Sequence, residues 1–131
     1  MKPNDLLKAY YDAFNRQDWP AMLGFLDENV RHDINQGATE VGKDKFKAFL
    51  GVMDAHYTEQ VKNLVIMSNG ADRAAAEFNI DGVYKKSQEG LPPANGQKYF
   101  IPVGAFFEIK NGKITRVTNY YNLPAWMDAV R

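Results

Sequence analysis

Residues 97–110 read QKYFIPVGAFFEIK, with apolar side chains on both parities. In an extended strand successive side chains point to opposite faces, so this stretch asks for burial on both of them. Asn111-Gly112 follows, the pair that best suits a two-residue hairpin turn. Lys113–Asn122 then reads as a returning strand. A hairpin of this kind needs a sheet around it and a helical layer on at least one side.

The rest of the chain supplies both. Arg73–Lys86 alternates Ala74, Ala76, Phe78 and Ile80 against Glu77, Asn79 and Asp81. Thr58–Ser68 is a long apolar-rich strand, joined to it by the turn SNGADR. SQEGLPPANGQ is a loop, broken by two prolines and two glycines. Upstream, residues 4–15 place Leu6, Leu7, Tyr10, Tyr11 and Phe14 at helical spacing, with Asn4 as the expected N-cap. Asp18 caps a second short helix, with Pro20 in its first turn and Met22, Leu23, Phe25 and Leu26 packing inward. Val30–Asn35 reads as a short strand. Gly42–Met53 reads as a third helix with Phe46, Phe49, Leu50 and Met53 on one face. Leu123–Val130 reads as a short final helix. The expectation is an α+β fold: three N-terminal helices with one short strand among them, then a four-stranded antiparallel meander. The helices lie on one face of a curved sheet, as in a cone with an open end. No repeat or linker divides residues 1–131, which fits a single domain.

Seventeen aromatic residues (seven Tyr, eight Phe, two Trp) in a chain of this size suggest an apolar cavity with hydroxyl groups at its wall. The candidates are Tyr10, Phe14, Trp19, Phe46, Phe49, Tyr57, Phe78, Tyr99, Phe106 and Tyr121. Sixteen Lys and Arg balance sixteen Asp and Glu, without the basic excess of a nucleic-acid binder. No apolar run is long enough to span a membrane. The start MKPNDLLKAYYDAF is interrupted by charge and lacks a signal-peptide core, so a cytoplasmic location is expected. With no cysteine, disulfides, thiolate metal sites and a Cys nucleophile are excluded. His32, Asp33 and His56 would bind a metal only by a convergence that their spacing does not promise. No Gly-rich phosphate loop, GxSxG or HExxH occurs.

Among polar residues, the stretch NVRHDINQG (29–37) carries the chemistry. Asp33 at the mouth of an apolar cone would have its charge desolvated and its pKa raised, as suits a base acting α to a carbonyl. The alternative is a carboxylate bonded to the backbone of the following turn. His32, its neighbour, should face the other way and reads as structural or as an interface residue. Arg31 shares the parity of Asp33 and could pair with it, which would lower its pKa. Tyr10 is a candidate hydrogen-bond donor to an oxyanion, or else a core Tyr bonded to a polar neighbour. Asn119 and Tyr121 share a strand face and are candidate binding groups. Trp126 reads as a lid or dimer-packing residue rather than a ligand contact.

The segments HDINQG, PPANGQKYFIPVGAFFEIKNGKI and RVTNYYNLPAW make the chain similar to the NTF2-like superfamily, in its ketosteroid isomerase-related and SnoaL-like branch. The resemblance covers nearly the whole chain. It implies a cone-shaped fold, often dimeric through the outer sheet face. It puts the catalytic Tyr at Tyr10, in AYYDAFNRQD, and the catalytic base at Asp33. A second, protonated Asp in ketosteroid isomerases falls on Gly104, and the general acid of related polyketide cyclases falls on Asn122. Both acids are therefore missing here.

The functional expectation combines these readings. The ligand is a small apolar carbonyl compound, bound without a cofactor. Asp33 and Tyr10 carry a proton-transfer isomerisation. Phe14, Trp19, Phe49, Met53, Tyr57, Phe78, Gly104, Phe106, Asn119 and Tyr121 contact the ligand. The other reading is a non-catalytic ligand-binding or dimerisation module with a vestigial pocket. Strand 97–110 is expected to form a homodimer face, because one chain can cover only one of its parities.

Overall fold

The computed structural model describes residues 1–131. Helix α1 (Pro3–Asn15) starts one residue before the expected cap. Proline is tolerated in a first turn because its missing N–H is unsatisfied there anyway. Asn4 is therefore inside the helix, and its carboxamide oxygen accepts from the Ser68 hydroxyl instead. The buried stripe of α1 is Leu6, Leu7, Tyr10, Tyr11 and Ala13. Helix α2 (Trp19–Gly24) is capped as expected, Asp18 Oδ1 accepting from Ala21 N at 3.1 Å.

Strand β1 (Leu26–Asp33) begins four residues before the expected strand. A three-residue strand β2 (Thr39–Val41) pairs with it. Neither residue pattern nor length marked β2, whose side chains are mostly exposed. Helix α3 (Lys43–His56) runs one turn past the expected end, straight into β3 (Tyr57–Ser68). Then come β4 (Arg73–Tyr84), β5 (Gln97–Lys110) and β6 (Lys113–Tyr121). Helix α4 (Leu123–Val130) closes the order, its Asn122 cap accepting from Ala125 N at 3.1 Å.

The six strands form one curved, open sheet in the order β2-β1-β6-β5-β4-β3. The meander β3 to β6 is antiparallel as expected, while β1 joins β6 in parallel. Between β5 and β6, Asn111 and Gly112 have φ of 53° and 76°, the left-handed pair that a tight hairpin turn of this kind requires. Helix α1 packs on β3 and β4, α3 on β1, β2 and β3, and α4 on β5. The result is a cone with its apolar residues inside.

Burial separates the two parities of β5. Tyr99, Ile101, Val103, Ala105, Phe107 and Ile109 are buried against the helices. The other parity faces outward, with Phe100 57% and Phe106 44% exposed. The expectation of two-sided burial is thus met on one side only within the chain. Gly104 belongs to the outward set, and a Cβ built there meets nothing within 4 Å.

The outer face also carries a chain of polar contacts across five strands. Arg73 pairs with Glu108 at 2.9 Å, and Arg116 with Glu108 at 2.6 Å. Arg116 donates to Thr118 Oγ1 at 2.8 Å, and Thr118 donates to Asp33 Oδ2 at 2.5 Å. Thr39 Oγ1 on β2 donates to Asp33 Oδ1 at 2.8 Å.

Candidate functional site

Inside the cone lies a cavity of about 220 Å³. Most of its lining is apolar, and neither Lys nor Arg contributes to it. Of the expected residues, Tyr10, Phe14, Phe49, Tyr57, Phe78, Asn119 and Tyr121 line it. Trp19 and Met53 do not. They border a smaller adjoining recess together with Phe14. Gly104 and Phe106 are on the outer face of the sheet, so contact with a ligand in the cone is overturned for both.

Asp33 is the larger correction. In β1, Val30 and His32 are buried while Arg31 and Asp33 face outward. His32 therefore lines the cavity and Asp33 does not. Besides its two threonine donors, Asp33 takes Arg31 Nη2 at 3.2 Å. Partial burial pushes its pKa up, but the Thr118 and Thr39 hydrogen bonds and the Arg31 charge pull harder and hold it below the ordinary value. A carboxylate stabilised in this way is a poor base.

Glu59 takes the place that Asp33 was expected to hold. On β3 it shares a face with the buried Tyr57 and Val61, which turns its carboxyl into the cavity. Tyr99 Oη, reaching over from β5, donates to Glu59 Oε2 at 2.6 Å. Burial raises the Glu59 pKa and the Tyr99 bond offsets only part of that rise. With no cation in the lining, nothing else compensates the charge. Trp126 of α4 stands edge-on to Tyr99, ring centroids 5.9 Å apart, and is only 5% exposed. It lines the cavity, a position that adds a ligand-facing surface to the expected lid or dimer-packing residue.

His32 faces the same cavity. It is 2% exposed and packs on Phe46 and Phe49 at 4.4 and 4.7 Å between ring centroids. Burial lowers its pKa, against an opposite pull from Glu40 and Asp33. The imidazole is therefore neutral at pH 7. Its Nδ1 is enclosed without a partner. An enclosed lone pair costs less than an enclosed N–H, which puts the proton on Nε2. Asn35 uses its Oδ1 to accept from Tyr121 N at 3.1 Å, leaving Nδ2 without a partner. Tyr10 is 3% exposed, and burial holds its hydroxyl strongly in the protonated, donating form.

The signals for Glu59 and His32 were present in the sequence. Glu59 alternates with Tyr57 and Val61, and His32 with Val30 and Ile34. Each polar side chain is bracketed by apolar residues of its own parity. No three His, Asp or Glu side chains converge to hold a metal ion.

Residues 7–117 match the family model described as the SnoaL-like domain. The chain belongs to the SnoaL-like domain family. Among curated proteins no match is found. The SnoaL-like chain is 51% identical to a candidate polyketide cyclase from Pseudomonas putida KT2440, covering 100% of this chain and 99% of that one with a TM-score of 0.98. A candidate polyketide cyclase from Xanthomonas campestris pv. campestris is 50% identical over 98% of this chain and 96% of its own, with a TM-score of 0.95. A more distant structure, an LEH-like epoxide hydrolase from M. tuberculosis, is 16% identical over 96% of this chain and 82% of its own, with a TM-score of 0.76. That last likeness is one of fold.

Proposed function

We propose that this protein binds a small, uncharged, mainly apolar carbonyl compound inside the cone and moves a proton on it. Glu59 removes the proton α to the carbonyl. The neutral His32 Nε2–H and the Tyr10 hydroxyl polarise the carbonyl oxygen. A neutral imidazole is suited to that role because it donates without carrying charge into the cavity. The observation that supports this reading is one apolar cavity bordered by two titratable groups, a carboxyl with raised pKa and an imidazole with lowered pKa. Groups tuned in this way mark acid–base sites.

Size narrows the ligand. A cavity of about 150 Å³ holds benzene. At about 220 Å³, this one suits a molecule of one or two rings rather than a four-ring steroid. The absence of Lys and Arg from the lining disfavours a carboxylate or phosphate on the ligand. An enolate is also where an aldol ring closure starts, so the polyketide cyclase designation of the half-identical relatives fits the same first step.

The second reading, a binding module without chemistry, is favoured by one observation: Asp33, onto which the resemblance puts the base, is locked into the outer polar chain. The test is a panel of one- and two-ring ketones, such as 2-tetralone, followed by NMR in D2O. Enzymatic exchange of the α-proton that Glu59→Gln abolishes and Asp33→Asn preserves supports the acid–base reading. Binding without exchange supports the module.

A further inference from the structure

Glu59 borders two spaces. One is the cavity. The other is a recess of about 20 Å³ lined by Phe14, Gln17, Trp19, Met53, Asp54, Tyr57 and Glu59. Phe14, Tyr57 and Glu59 belong to both linings, so they form the partition. Of these three, Glu59 alone has a carboxyl to offer to both sides. Tyr57 commits its hydroxyl to Gln88 Oε1 at 2.5 Å, and Phe14, edge-on to Trp19 at 5.8 Å between centroids, has no polar atom to offer.

The recess is close to the room that one water needs, about 10–15 Å³, provided two or more polar groups meet it. Glu59, Gln17 and Asp54 are the polar residues of its lining. Gln17 is exposed and stands in the turn between α1 and α2, its N–H donating to Phe14 O at 3.0 Å. It is held there with φ of 58°. Asp54 lies in the last turn of α3, partly exposed. The recess thus leads from Glu59 toward bulk water without crossing the ligand space.

We infer that Glu59 exchanges its proton with solvent through this recess, by one water with Asp54 as the outer acceptor, while the cavity stays occupied. The inference rests on the proposed role of Glu59 as the base. In the first step the ligand C–H bond breaks, an O–H bond forms on Glu59, and the electron pair stays on the ligand as an enolate. In the second, Glu59 gives that proton to the recess water, which passes one of its own to Asp54 and so to solvent. In the third, the same path run in reverse brings a solvent hydron onto Glu59, and that O–H bond breaks as a new C–H bond forms on the enolate. No electrons leave the system, and Glu59 is restored as a carboxylate. Without the recess, a proton on Glu59 could return only to the ligand. With it, the ligand acquires solvent hydrogen during a single binding event.

Two variants and two readouts test this. Met53→Phe fills the recess, and Asp54→Asn removes the outer acceptor on a partly exposed site that tolerates change. The first readout is the partition between deuterium uptake and transfer of the original proton when a β,γ-unsaturated cyclic ketone is isomerised in D2O. The wild type should give product carrying mainly solvent deuterium. Both variants should return the substrate's own proton, lowering the uptake-to-transfer ratio by about tenfold. An unchanged ratio overturns the inference. The second readout needs no turnover: exchange of the Tyr99 hydroxyl proton, which is bonded to Glu59, measured by NMR with indane filling the cavity. It should slow by about tenfold in both variants, and an unchanged rate overturns the recess route. A wild type that shows no isomerisation, yet shows the Tyr99 effect, removes the base assignment and leaves the route standing.

Discussion

Gly82 lies across the β4–β5 ladder from Tyr99 and has no room for a side chain: a Cβ at position 82 would stand 2.3 Å from two carbons of the Tyr99 ring. The missing methyl lets Tyr99 lie flat against β4 and reach Glu59. Gly82→Ala should destabilise the fold by about 1–3 kcal/mol through overpacking. It should also pull Tyr99 away from Glu59, removing the one bond that favours the Glu59 carboxylate. Thermal melting and a carboxyl titration followed by NMR check the two effects, and the Glu59 pKa should move further up.

Asp33→Asn should weaken the fold at neutral pH and leave any ketone α-proton exchange intact. The folded pKa of Asp33 lies below its ordinary 3.8, so its stabilising contribution is present above that value and is lost as pH falls through the folded value. The expected loss is about 1 kcal/mol at pH 7, since Asn keeps part of the bonding to Thr39 and Thr118. Melting curves of variant and wild type should converge in strong acid.

Glu59→Gln should act in the opposite sense. With the folded pKa above the ordinary 4.5, the folded protein binds the proton more tightly than the unfolded chain. Stability then falls as pH rises from 4.5 through the raised value, and stays reduced above it. The amide removes that cost. The variant should melt higher than wild type at pH 7, and the gain should vanish below pH 4.5.

His32 gives a third pH signature. Its folded pKa lies below the ordinary 6.5, so the wild type should lose stability as pH falls from 6.5 through the folded value. His32→Gln should flatten that limb of the stability profile. A slope that persists in the variant would assign it to another group.

Gly104→Asp should fold and should not create an oxyanion donor, because position 104 faces away from the cone. Glu77 is its cross-strand neighbour, and like charges placed opposite each other cost about 0.2–1 kcal/mol. Exchange kinetics equal to wild type are expected. The same outer surface carries Phe100, Phe106 and Tyr120, Tyr120 being 59% exposed and edge-on to Phe106 at 5.8 Å. A homodimer through this face is the expectation for sedimentation at micromolar concentration, and Phe106→Glu should shift it to monomer.

What could be read in the sequence depended on how unambiguous each pattern was. Arg73–Lys86 alternates cleanly, and Asn111-Gly112 admits few other turns, so the meander was legible. The α2 cap followed from Asp18 and Pro20. Strand β5 was legible as a strand but not in orientation, since Phe100, Pro102 and Phe106 are as apolar as Ile101, Val103 and Phe107. Gly104 was therefore placed on the wrong face. Val30 and Ile34 share the parity of His32 and point it inward, whereas the resemblance puts the base on Asp33, which has the opposite parity. The alternation of Glu59 with Tyr57 and Val61 shows its face but not its partner. Its bond to Tyr99 joins residues forty positions apart, a pairing that only the strand register creates.

The lining of the cone runs from Tyr10 on the first helix to Trp126 on the last. No fragment of the chain that lacks either end can present the complete binding surface, and a partly unfolded chain has no share of it to offer a ligand. Occupancy and global folding are therefore thermodynamically linked: ligand at a hundredfold excess over its Kd should raise the unfolding free energy by about 2.7 kcal/mol. A shift in melting temperature thus reports on the whole molecule, and it allows a search for the natural ligand that needs no assumption about the reaction.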